Sequence, residues 1–236
     1  MTPPPAQLSP YRAQTHKPLA NLVFVAPLLA AYEVSVALGG TDLLSRSHLQ
    51  RFLSEIGAGA EYFSALLIVA VLLAQQIAGK HPWRLPMFVP ALMVLEAVLL
   101  AVPLLGLGLL GNHAVATAGA RPGGEVVHLL LACIGAGIYE EFLFRLAWLA
   151  VAGLLLVDLL SLPKDVAVAV AVLTSALAFA LYHFTGPAPV AWPAFAFFAL
   201  SGTYLAGVYL LRGYGVAVGA HVVYNVVVLA ISGAGR

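Results

Sequence analysis

The chain has 236 residues, 62% of them hydrophobic and 9% charged, with a mean hydropathy of +0.98, whereas a soluble domain carries about a quarter charged residues. That excludes a water-soluble globule and a disordered chain, and 11 Lys+Arg against 10 Asp+Glu leave no basic excess for holding nucleic acid. What remains is an integral membrane protein, and the Leu, Ala and Val richness points to helices, because barrel strands alternate polar with apolar residues.

Residues 1–18 hold five prolines (Pro3, Pro4, Pro5, Pro10 and Pro18) with Arg12 and Lys17, and read as a Pro-rich tail. Apolar runs follow at 19–38, 62–79, 86–111, 126–157, 165–184, 190–211 and 214–232. They predict an all-α polytopic transmembrane bundle of about seven to eight spans, since a helix satisfies its own backbone in lipid. The run 126–157 is about 48 Å long as a straight helix, against a hydrocarbon core of about 30 Å, so it has to tilt, project or break. Cys133 is the single cysteine and lies within this run, so no intrachain disulfide forms. The positive-inside count sets Arg12, Lys17, Lys80, Arg84, Lys164 and Arg212 against Arg46, Arg51, Arg121 and Arg236, a slight lean to a cytoplasmic N-terminus. Gly202 with Ala206, and Gly215 with Gly219, are spaced for close helix packing.

Ionisable and amide side chains inside such runs are costly and mark sites unless paired. Glu33 and Glu96 stand isolated and read as hydrogen-bonded interior acids, while Gln75 and Gln76 read as interfacial, and Tyr139, Trp148 and Trp192 as packing or belt aromatics. His128 is a further titratable group in the longest run. The densest cluster is Glu140, Glu141 and Arg145 in the same run; four residues apart, Glu141 and Arg145 share a helix face, leaving Glu140 without a local counter-charge. His183 follows Phe179 by one turn, and Asn225 follows His221 by one turn. Carboxylate and imidazole in a low-dielectric bundle suit deprotonation of water, and His and Asn donors suit the oxyanion of a tetrahedral intermediate. The chemistry suggested is peptide-bond hydrolysis within a membrane.

At these residues the chain resembles the CPBP family of intramembrane proteases, also called the Abi or type II CAAX prenyl protease family. Its pattern of EExxxR, FxxxH and HxxxN is matched by Glu140-Glu141 with Arg145, by Phe179 with His183, and by His221 with Asn225. The resemblance covers about residues 125–232 and implies a protease core over 125–236, preceded by accessory transmembrane helices over 19–124. It implies that Glu140 and His183 activate water, that Arg145 holds Glu141 in support of the site, and that His221 and Asn225 bind the oxyanion. It also implies a membrane-protein or peptide substrate, with no nucleic acid, in the lipid bilayer of a cell. The Ala, Val, Leu and Gly richness points to a bacterial inner membrane.

The family has been described both as zinc-dependent and as glutamate-type. Glu140, His183 and His221 make an acceptable three-ligand zinc set. The Glu-Glu-Arg cluster reads better as a tuned base, and no cofactor is favoured. A proton or cation carrier is the rival from another class, and Asn225 weighs against it, because a proton path has no use for a non-titrating amide. A non-catalytic immunity protein would fit incomplete motifs, and these are complete. One mismatch stands out. With simple alternating spans, His183 lies about 27 Å from the start of its helix and His221 about 10 Å from the start of a helix running the same way, at 1.5 Å per residue. A shared site requires those two helices to be shifted and tilted against each other, or the run boundaries to move.

Overall fold

The computed structural model describes residues 10–40, 42–55, 63–110, 126–185 and 190–234. The expected boundary at 124/125, Pro3 to Pro5, Arg121 and Arg236 lie outside them. Among the described residues the secondary structure is helical throughout: α1 (Pro10–Thr15), α2 (Pro18–Ala37), α3 (Leu44–Glu55), α4 (Phe63–Ala78), α5 (Phe88–Leu110), α6 (Val126–Leu159), α7 (Lys164–Tyr182), α8 (Trp192–Arg212) and α9 (Tyr214–Ala234). Six of them, α2 and α5 to α9, are long and apolar enough to cross a membrane. At 16 residues, about 24 Å, α4 is apolar but shorter. All seven apolar runs therefore become helices.

The overlong run does not break. It continues as one helix to Leu159, with two wider π turns, Phe142–Ala147 and Leu154–Leu159. Such turns recur at functional sites, and the first begins one residue after Glu141 and contains Arg145. The extra length resolves the depth mismatch. From Glu140 the helix runs about 28 Å out to Leu159, and α7 returns about 28 Å from Lys164 to His183. Equal arms bring His183 back level with Glu140, so α7 is shifted along the bundle relative to α9, where His221 lies only two turns in.

Packing crosses the expected division between accessory and core segments. One cluster of buried side chains joins Phe24 and Tyr32 of α2, Ile68 and Leu72 of α4 and Met93 of α5 to Ile138, Tyr139 and Val218 of the later helices. The small-residue pairs serve close approach. A Cβ at Gly219 would stand 2.7 Å from the Ala97 methyl, and one at Gly202 would stand 3.1 Å from the Ala176 backbone.

Several polar expectations change once the helices are assembled. The second half of the tail is built into the bundle: the Tyr11 hydroxyl donates to Glu96 at 2.8 Å, and Arg212 Nη2 donates to the same carboxylate oxygen at 2.8 Å. Glu96 is thus the paired interior acid expected, and Arg212, counted as a loop charge, is its buried partner. Arg46, also counted as a loop charge, sits on α3, a polar helix that no apolar run announces. It is 2% exposed and binds Glu33 through two parallel bonds of 3.1 and 3.0 Å. Of the two readings of Tyr139, packing holds: it is buried in the core and also donates to Glu33 at 2.5 Å. Gln76 is buried rather than interfacial, because its amide accepts from Leu19 N–H and donates to the His81 and Pro82 carbonyls. Gln75, Trp148 and Trp192 are exposed, as interfacial side chains would be.

Candidate active site

Three helices supply the cluster. The α6 segment before the π turn carries Glu140 and Glu141, and Arg145 follows within it; His183 caps the C-terminal end of α7; His221 and Asn225 lie one turn apart on α9. Glu140, Glu141, Arg145, His221 and Asn225 are all buried. Glu140, His183, His221 and Asn225 line a single cavity, whose remaining wall includes Phe179, Phe198, Ser201 and Tyr224. His128 does not join them, since it contacts Ser35 Oγ at 3.3 Å, about 18 Å along the helix from Glu140.

The local spacing works as the sequence suggests, with Arg145 Nη1 lying 2.9 Å from Glu141 Oε1 and both side chains fully buried. Arg145 Nη2 also donates to the Gly202 carbonyl at 3.3 Å, and its guanidinium lies 4.3 Å over the Phe179 ring. Phe179 therefore holds two members of the site. Its ring receives Arg145, and its carbonyl accepts from His183 Nδ1 at 2.8 Å. A second ring, Phe198, stacks on His183 at 3.8 Å.

A longer-range contact joins the motifs. His221 Nδ1 donates to Glu141 Oε1 at 2.8 Å, so one carboxylate holds both Arg145 and His221. Each imidazole thus spends Nδ1 on an acceptor of its own and turns Nε2 toward Glu140. Both Nε2 atoms stand 3.9 Å from Glu140 Oε2. Asn225 has no hydrogen-bond partner among the described residues, and its amide is left to the cavity it lines. Ser201 Oγ and Tyr224 Oη, in the same wall, are buried with no partner among the described residues. Sequence reasoning missed these two. Tyr224, between His221 and Asn225, was within reach of a spacing argument, whereas nothing local distinguishes Ser201.

The same distances test the zinc set. Ligands about 2.0–2.1 Å from a tetrahedral zinc stand about 3.3 Å apart, closer than the 3.9 Å between Glu140 Oε2 and either Nε2. Among the described residues, no group of three His, Cys, Asp or Glu side chains is disposed to hold a metal ion. As arranged, the set does not fit zinc.

In this multi-pass membrane protein a bundle of apolar helices thus encloses a cavity lined by one carboxylate, two imidazoles and an amide, with the Glu141–Arg145 pair behind it. Residues 122–227, a little under half the chain and all three motifs, match the family described as Type II CAAX prenyl endopeptidase Rce1-like. That segment is similar to the CPBP family, a family of CAAX-type intramembrane proteases. No curated protein and no solved structure matches the chain.

Proposed function

We propose that the chain is a glutamate-type intramembrane endopeptidase that hydrolyses a peptide bond of a membrane-associated protein or peptide. The observation that carries this reading is the placement of Glu140 Oε2 at 3.9 Å from both imidazole Nε2 atoms, beside a cavity that also offers the Asn225 amide. A gap of that size accepts one water bridging Glu140 and His183 through two hydrogen bonds of ordinary length, about 2.8 Å each. Glu140 takes a proton from this water as its oxygen attacks the carbonyl carbon. His221 and Asn225 donate to the oxyanion that forms, and collapse breaks the C–N bond while Glu140 returns the proton to the leaving amine.

His221 can donate through Nε2 only when both ring nitrogens carry protons. Glu141 supports that imidazolium by accepting from Nδ1, as a buried carboxylate does in hydrolytic triads. The composition supports placing the enzyme in a bacterial cell membrane.

The test is metal content by mass spectrometry on purified protein, with cleavage of a candidate peptide followed before and after chelation and in Glu140→Gln. The expected result is full cleavage in metal-free protein and none in the variant. One equivalent of zinc, lost together with activity, would overturn the glutamate mechanism.

A further inference from the structure

Glu140 and His183 face two cavities. The first, described above, is walled mostly by rings and aliphatic side chains, including Leu104, Phe179, Phe197 and Phe198. The second lies under α3, where Asp42, Ser45, Ser47, Tyr182 and Thr185 stand beside Glu140 and His183. Each of these five side chains carries a hydroxyl or a carboxylate, and Leu43 and Leu44 complete the wall. Of these, Asp42 has a side chain that is 41% exposed. The catalytic pair lines the same cavity, so one lining holds both a surface carboxylate and the reacting groups.

Two hydroxyls in this wall are unaccounted for. Ser45 Oγ and Tyr182 Oη are buried and make no hydrogen bond among the described residues, and Ser45 is only 2% exposed. Native proteins rarely leave such groups without a partner, and ordered water is the usual one where a polar cavity has room. The roof above them is fixed. Arg46, next to Ser45, is clamped on Glu33 and reaches Asp42 at 3.2 Å, while Tyr139, next to Glu140, is bonded to that same Glu33. His48 sets its ring edge against Tyr182 at 5.6 Å. A short polar helix is thereby held across the C-terminal end of an apolar one, close to the general base.

We propose that this cavity is the water inlet of the enzyme, a hydrogen-bonding duct beneath α3 that delivers the hydrolytic water to Glu140 and His183, while the substrate occupies the apolar chamber on their other side. This rests on the reading of that pair as the water-activating one. Each turnover consumes one water molecule, and the cavity beneath α3 reaches Glu140 and His183 on the side away from the Asn225 amide and His221, which face the chamber. Ser45 and Tyr182 supply the hydrogen bonds that hold water along the duct.

The experiment is thiol labelling in a Cys133→Ala background, using a charged, membrane-impermeant methanethiosulfonate and intact-protein mass spectrometry. Ser45→Cys, though almost fully buried, is expected to label. Leu173→Cys, on α7 and 58% exposed to what would be lipid, is expected not to, because the reagent needs a hydrated thiolate. Labelled Ser45→Cys should then lose turnover by about tenfold or more at unchanged KM. An unlabelled Ser45→Cys beside a labelled Ser47→Cys means a dry cavity and overturns the proposal whatever the activity. Labelling without loss of turnover, or with the loss confined to KM, overturns the inlet by making the duct idle or a substrate subsite. If Glu140→Gln still cleaves, the reading of the reaction fails and the inlet with it, while a labelled Ser45→Cys would still establish a wet cavity.

Discussion

Replacing Arg145 with methionine keeps most of the side-chain volume against Phe179 and removes the guanidinium 2.9 Å from Glu141. Both partners are fully buried, so Glu141 is left with His221, at 2.8 Å, as its remaining hydrogen-bond partner. Breaking a buried ion pair from one side costs about 3–5 kcal/mol. The hydrogen bond that Glu141 keeps from His221 Nδ1 offsets part of that, which puts the electrostatic cost near the lower end, about 3 kcal/mol. Loss of the bond to the Gly202 carbonyl adds about 1 kcal/mol. Against a total stability of about 5–15 kcal/mol, a deficit of about 4 kcal/mol should lower both yield and unfolding temperature. Unfolding in detergent, followed by tryptophan fluorescence, measures it. Adding Glu141→Gln removes the stranded charge, so the double variant should regain about 2–3 kcal/mol over Arg145→Met alone. It should nevertheless stay inactive, because His221 has lost its carboxylate. An Arg145→Met protein that unfolds where the parent does, or a second substitution that deepens the loss, would refute the reasoning.

Asn225→Ala should reduce turnover by about a hundredfold with little change in KM, since its amide is expected to bind charge that develops only in the transition state; steady-state kinetics on a peptide decide it, and an effect confined to KM removes Asn225 from the oxyanion site. Gly219→Val should lower the unfolding temperature through a loss of about 1–3 kcal/mol, because its Cβ would meet Ala97 and Phe24 at 2.7 and 3.0 Å. Unchanged thermal stability in that variant would mean that α9 can move away from α2 and α5 without penalty.

What could be read from the sequence was what one helix encodes by itself. The spacings Glu141 to Arg145 and His221 to Asn225 are one helical turn, so those pairs follow from chain order alone. The contact between Glu141 and His221 spans 80 residues and two further helices, and no local spacing announces it. Arg46 was hidden for another reason: it lies on a 12-residue helix too polar to register as an apolar run, and its partner Glu33 looks isolated until that helix folds back. Tyr11 and Arg212 are similar, since a proline-rich segment gives no periodic signal and its partners, Glu96 within α5 and Arg212 at the end of α8, meet only in the assembled bundle. The level of His183 was misread because single spans were assumed to start at a common plane. The bundle contains one helix of 34 residues, and its length resets that plane for the helix that follows.

That long arm and its equal return bear on how this chain can be lengthened or shortened. Taking one turn from α6 beyond Gly153 alone would draw His183 about 5.4 Å out of level with Glu140, whereas taking one turn from each arm leaves the two groups in step and on the same faces. Length changes in the far hairpin are therefore tolerated only in matched pairs. Under that constraint the hairpin can be shortened or extended to suit bilayers of different thickness while the chemistry stays where it is.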